Sequence, residues 1–181
     1  GQWGYLDQAL GSPSVVPQVS GVADYHINAD EPSVLDYNTD FKTLNLQTIL
    51  YAPDQFRVSD HDSVIIGLCQ APTATVTLSK TELWPANHKY VKVDASFVTS
   101  SDTASVTLVS VTSNEPDNGL GDGDFPNDIV IVDNDTVKLR AERSAVGEGR
   151  VYTFTYLVTN TCGATTTVTV TVTVPLSQGN H

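Results

Sequence analysis

The stretch Arg57-Val58-Ser59-Asp60-His61-Asp62 sets an acid, an imidazole and a second acid directly before an apolar run, Val64-Ile65-Ile66-Gly67-Leu68. An imidazole changes charge near neutral pH and moves protons, while a carboxylate beside it orients the ring or gathers a divalent cation. Hydrolysis of a phosphodiester needs an activated water, stabilisation of charge on the phosphoryl oxygens and a proton for the leaving oxygen. Asp60 and His61 are residue types suited to that work. Taken alone, Ser-Asp-His-Asp also fits a solvated turn before a strand, so the neighbouring segments have to decide.

Two upstream segments carry further titratable groups. Gly4-Tyr5-Leu6-Asp7-Gln8-Ala9-Leu10 is short and apolar with one carboxylate set in it, and His26, Asp30 and Glu31 lie in the stretch His26–Asn38, which is irregular from Asn28 on. Residues 1–69 read as mixed α/β. Strands are expected near Tyr5–Leu10 and Asp24–Ile27, a short helix around Val15–Val19, a polar stretch up to about Asp54, and a last strand at Val64–Leu68. A piece of this size buries only about 60% of its unfolded surface, so it is expected to need more of its domain than is present.

In order, spacing and motif, these segments together resemble the C-terminal part of a secreted, DNase I-like nuclease of the endonuclease/exonuclease/phosphatase family, from Gly1 to about Leu68. The likeness is to the large extracellular nucleases of bacteria. It implies part of a four-layer α/β sandwich, with Asp60 contributing to the metal and phosphate centre and His61 acting in acid/base catalysis or transition-state stabilisation. Asp7 falls where the family has the Asp that hydrogen-bonds this His, fixing its tautomer and ring orientation. The implied cofactor is Mg²⁺ or Mn²⁺ and the implied partner is nucleic acid. The family often has Pro where Ser63 stands, and Asp62 is expected to be a solvated loop acid. No step is assigned to His26, Asp30 or Glu31; Tyr37 and Asn38 are expected to serve packing and turning. The family's other metal-binding Glu, its Asn ligands and its second His come from N-terminal segments that this sequence lacks. The 181-residue chain alone is therefore expected to be inactive.

Gln70-Ala71-Pro72-Thr73 marks a boundary, with 70–74 as linker, and from Thr75 the pattern becomes short alternating strands. An antiparallel all-β sandwich over 75–175 is expected, followed by a tail, 176–181. Its seven strands are Thr75–Leu78, Tyr90–Val98, Ser105–Thr112, Ile129–Val132, Thr136–Glu142, Val151–Thr159 and Thr165–Val174. Val168, Val170, Val172 and Val174 should share one face. Val137, Leu139 and Ala141 should point inward, with Lys138, Arg140 and Glu142 toward water. This unit resembles the Ig-like or hyalin-repeat-like module of secreted bacterial proteins through Glu82–Lys89, Leu139–Arg143, Gly149–Phe154 and the Val174-Pro175 ending. Such modules share no activity that could be carried over.

The segment Asn114–Asp128 is rich in oxygen donors and glycine. Glu115, Asp117, Asp122, Asp124 and Asp128 are candidate Ca²⁺ ligands, with a solvated acidic loop as the alternative. Strand parity predicts Asn87-His88 and Ser144–Glu148 near this loop and the Asp133-Asn134-Asp135 turn at the other end. The same parity brings Cys69 and Cys162 together as a disulfide.

Net charge is −12: residues 1–69 hold two basic and nine acidic side chains, the rest seven and twelve. Such a surface disfavours electrostatic binding of nucleic acid by this chain alone, yet carboxylates also gather the metals of nuclease sites. Two cysteines are too few for a zinc cluster, and no apolar run approaches the length of a membrane span. No Met is present and the chain begins at Gly1, so a processed, truncated or excised segment is expected; the many Asp, Gly, Thr and Val with few Lys suggest a secreted protein, and a monomer is expected. Two other functions fit the sequence. One is a calcium-stabilised adhesion, spacer or carbohydrate-binding module. The other is a phosphoesterase of the same fold acting on lipid or sugar phosphates.

Overall fold

The computed structural model describes residues 8–25, 40–50, 61–118 and 125–177. The chain divides into two compact units, Gly1–Gln70 and Ala71–His181. Among the described residues the fold is mostly β, with three antiparallel sheets and almost no helix.

In the first unit, β1 (Val19–Tyr25) pairs antiparallel with β2 (Ser63–Leu68), running from Val19 opposite Leu68 to Tyr25 opposite Ser63. A single 3-10 turn, Val16–Gln18, follows Ser12 and leads into β1. Gln18 then accepts the Cys69 amide at 2.6 Å, extending the ladder past β2. A helix, α1 (Leu44–Leu50), lies where a polar stretch was expected. Thr43 precedes it as a cap, its carbonyl accepting the Gln47 amide at 2.9 Å. The β1 pairing starts five residues before the expected Asp24, and Gln8–Leu10 are not strand. None of the unit's described residues is buried. Val22, Ile65, Ile66 and Leu68 are between 41% and 64% exposed, so apolar residues from both faces of this two-stranded sheet meet solvent.

The second unit is a sandwich of β3 (Ala74–Leu78), β4 (Tyr90–Thr99), β7 (Thr136–Arg140) and β6 (Ile129–Ile131), in that order, against β5 (Thr103–Ser113), β8 (Arg150–Asn160) and β9 (Thr165–Val174). All seven expected strands are present. Period-two alternation explains them: β8 strictly alternates buried and half-buried residues, and Val172 and Val174 of β9 are fully buried. Both sheets contribute to one core, with Val93, Val137 and Leu139 meeting Tyr152, Phe154, Tyr156 and Val172. Each fully buried aliphatic or aromatic side chain contributes about 1.5–3 kcal/mol.

One inward-outward assignment fails. Glu142 is 1% exposed rather than facing water, and the Arg140 side chain is 12% exposed. The strand ends at Arg140, so the alternation that would carry Glu142 outward stops two residues early. Cys69 and Cys162, the chain's two cysteines, form the expected disulfide.

Candidate functional site

Of the residues proposed for catalysis, His61 is described, and it lies at the mouth of β2. His61 is exposed and Asp62 half-buried, and the strand begins at the next residue, Ser63. The antiparallel register sets Ser63 opposite Tyr25, so this mouth lies at the end where β1 stops. Asp7 and Asp60 lie outside the described residues, as do His26, Asp30, Glu31, Tyr37 and Asn38.

A second set of charged groups gathers at one end of the sandwich, where β7 stops and β8 begins. Gly149 sets the approach: its φ is +98°, and a Cβ there would meet the Val174 carbonyl oxygen at 2.6 Å. The next residue, Arg150, occupies an inward position of β8 and is 1% exposed. Its guanidinium is surrounded by oxygens. It donates to Glu115 Oε2 at 3.1 Å, to the Pro116 carbonyl at 3.2 Å, to Tyr152 Oη at 3.4 Å and to Asp128 Oδ2. Asp128 is itself 1% exposed, and its other oxygen faces Arg140 Nε at 3.3 Å. Burial opposes the charge on Arg150, but Tyr152 and Glu115 outweigh it and raise its pKa. Burial also raises the Tyr152 pKa, against the pull of Arg150.

Glu142 completes the cluster. One of its oxygens lies 2.9 Å from His88 Nδ1 and the other accepts the Phe125 amide at 3.3 Å, while the His88 and Phe125 rings meet edge-on at 5.8 Å. Arg140 stacks over Tyr90, 4.3 Å from its centroid, and donates to the His88 carbonyl at 3.0 Å.

Three of the five candidate calcium ligands belong to the described residues. Glu115 accepts from Arg150 and from the Ser144 amide at 2.8 Å. Asp117 accepts the Asn127 and Asp128 amides at 2.9 and 2.6 Å, and Asp128 pairs with two arginines. These acids thus close the base of the loop by binding arginine and backbone N–H groups. Asp122 and Asp124 lie outside the described residues, and among the described residues no three His, Cys, Asp or Glu side chains are grouped to hold a metal. The expected neighbours are present, since Ser144 and His88 both reach this end. The Asp133–Asp135 turn instead engages the middle of β5 through Asn134 and accepts the Ala95 amide at 2.8 Å through the Asp135 carbonyl.

Sequence reasoning missed Arg150 as the centre of this cluster. The signal was there: Arg150, Tyr152, Phe154, Tyr156 and Val158 share one parity, so an arginine stands in line with the core. Glu142 and His88 carried no such signal, because both lie outside regular strand. No protein-family model, curated protein or solved structure matches the chain.

Proposed function

We propose that the chain is the C-terminal part of a metal-dependent extracellular nuclease, followed by a non-catalytic Ig-like module. The observation that carries this reading is β2 itself. It is apolar on both faces, half-exposed, paired along one edge among the described residues, and it follows Asp60-His61-Asp62 directly. A strand apolar on both faces belongs in a sheet covered on both sides. Further strands and helices of a nuclease sandwich would supply that cover and hold the tetrad at a strand mouth.

In this reading His61 moves the proton at the scissile phosphodiester, Asp7 orients its imidazole, and Asp60 faces the phosphoryl group. Bound Mg²⁺ would stabilise charge on the phosphoryl oxygens. The described residues do not assemble a site for it on their own. For the second unit, the sheet orders β3-β4-β7-β6 and β5-β8-β9 match the four-plus-three arrangement of constant-type Ig sandwiches. Tyr152, near the start of β8, donates to the Arg140 carbonyl at 2.8 Å, like the tyrosine corner of that fold. The disulfide fits assembly in an oxidising compartment outside the cytosol.

Plasmid nicking in Mg²⁺ tests the proposal. The chain extended by its own upstream coding sequence should nick DNA and stop on chelation, and the 181-residue chain should not turn over. An extended chain without metal-dependent phosphodiesterase activity would overturn it.

A further inference from the structure

Among the described residues the sandwich has four sheet edges, formed by β3, β6, β9 and β5. β3 and β6 are short, at five and three residues. The β9 edge is covered by backbone at its C-terminal end, where Thr173 donates to the Thr81 carbonyl at 2.9 Å and accepts the Leu83 amide at 2.8 Å. β5 is different. It is an edge strand of eleven residues, Thr-Ala-Ser-Val-Thr-Leu-Val-Ser-Val-Thr-Ser, without a charge, a proline or a glycine. Long, uncharged, β-branched edges invite another extended chain, and proteins usually blunt them with lysine, proline or bulges. Register shifts at Thr103/Ser105 and Leu108/Ser110 disturb parts of this strand and leave residues 105–108 regular.

That regular centre carries a side chain from the other sheet's β6–β7 turn. Asn134 Oδ1 accepts the Leu108 amide at 2.8 Å, and Asn134 Nδ2 donates to the Val106 carbonyl at 3.2 Å. The carboxamide thus fills one acceptor and one donor position that a neighbouring strand residue would use. The turn presenting it is fixed independently: Asp133 Oδ1 accepts the Asp135 and Thr136 amides at 2.9 and 2.7 Å, and Asp135 Oδ1 accepts from Asn134 Nδ2 at 2.8 Å.

We propose that Asn134 is an edge guard that closes β5 to strand addition, and that the occupant it excludes is β5 of a second copy. An uncharged strand is compatible with itself, and two such edges related by a two-fold axis would join antiparallel into one six-stranded sheet. The guard holds the sandwich apart from its own copies while leaving β5 free of charge.

The test compares the 181-residue chain with Asn134→Ala by light scattering over a concentration series, alongside amide exchange. The variant should associate more than wild type as concentration rises, and in dilute solution its Leu108 amide should exchange at least about tenfold faster. The double variant Asn134→Ala/Val109→Lys places a charge on the same edge at an exposed position, and it should return association to the wild-type level. Association unchanged in Asn134→Ala overturns the proposal. So does association that persists in the double variant, which is the mark of misfolding rather than of an opened edge.

Discussion

At the scale of single residues, Tyr156 shows what full burial does to a polar group. Its ring packs edge-on against Phe97 at 5.2 Å, and its hydroxyl has no hydrogen-bond partner among the described residues. Burial, with the Asp135 charge adding to it, pushes its pKa up to about 12. The folded state therefore resists ionisation more than the unfolded chain does, whose tyrosines titrate near about 10. This contribution to stability is present below about pH 10 and lost as pH rises through about 12. Tyr156→Phe removes a buried hydroxyl that lacks a partner, so it should be neutral or stabilising by up to about 1 kcal/mol. It should also remove one tyrosine step from the alkaline absorbance titration. A loss above that size in urea unfolding would mean the hydroxyl is satisfied. The Lys92–Asp94 pair, 2.8 Å apart, shifts both groups toward their charged forms, the Asp94 carboxyl downward and the Lys92 amine upward. Both are exposed, so water and salt screen the pair and little stability rests on it.

At the scale of elements, β8 unites the core with the charged end of the sandwich. Its inward positions pass from Val158 through Tyr156, Phe154 and Tyr152 to Arg150, and the last of these meets Asp128 and Glu115. The substitution Arg150→Met keeps similar volume, leaves Glu115 without its buried counter-charge and leaves Asp128 with Arg140 alone. Unfolding in urea should show a loss of about 3–5 kcal/mol. An effect under about 1 kcal/mol would mean that water, not Arg150, compensates these acids. The strands were legible because Val and Thr alternate through β9 and aromatics alternate through β8, and that pattern fixes both the element and its face. Glu142 was misread because alternation holds only while the strand lasts, and β7 ends at Arg140. The helix Leu44–Leu50 was missed because Asn45, Gln47 and Thr48 interrupt its leucines and make a seven-residue segment read as polar. Asn134 carried no signal, since an Asp-Asn-Asp turn reads as solvent-facing until a second strand is brought beside it.

At the scale of the whole molecule, the two units differ in kind. The second has a continuous core in which Val93, Val137, Leu139, Tyr156 and Val172 are wholly buried; in the first, no described residue is buried. A two-stranded sheet is marginal by itself, and one with apolar residues exposed on both faces calls for further layers. The proposed nuclease supplies those layers and gives a purpose to the acid and imidazole at the mouth of β2. Of the proposed catalytic residues, His61 is the one the structure describes, two positions before β2, so it is the residue through which the proposal is most directly tested. The deciding measurement is the Mg²⁺-dependent rate of plasmid nicking by the upstream-extended chain with and without His61→Ala. A fall of about 10²–10⁴-fold with unchanged folding is the predicted result. Equal rates for the two proteins would contradict the account.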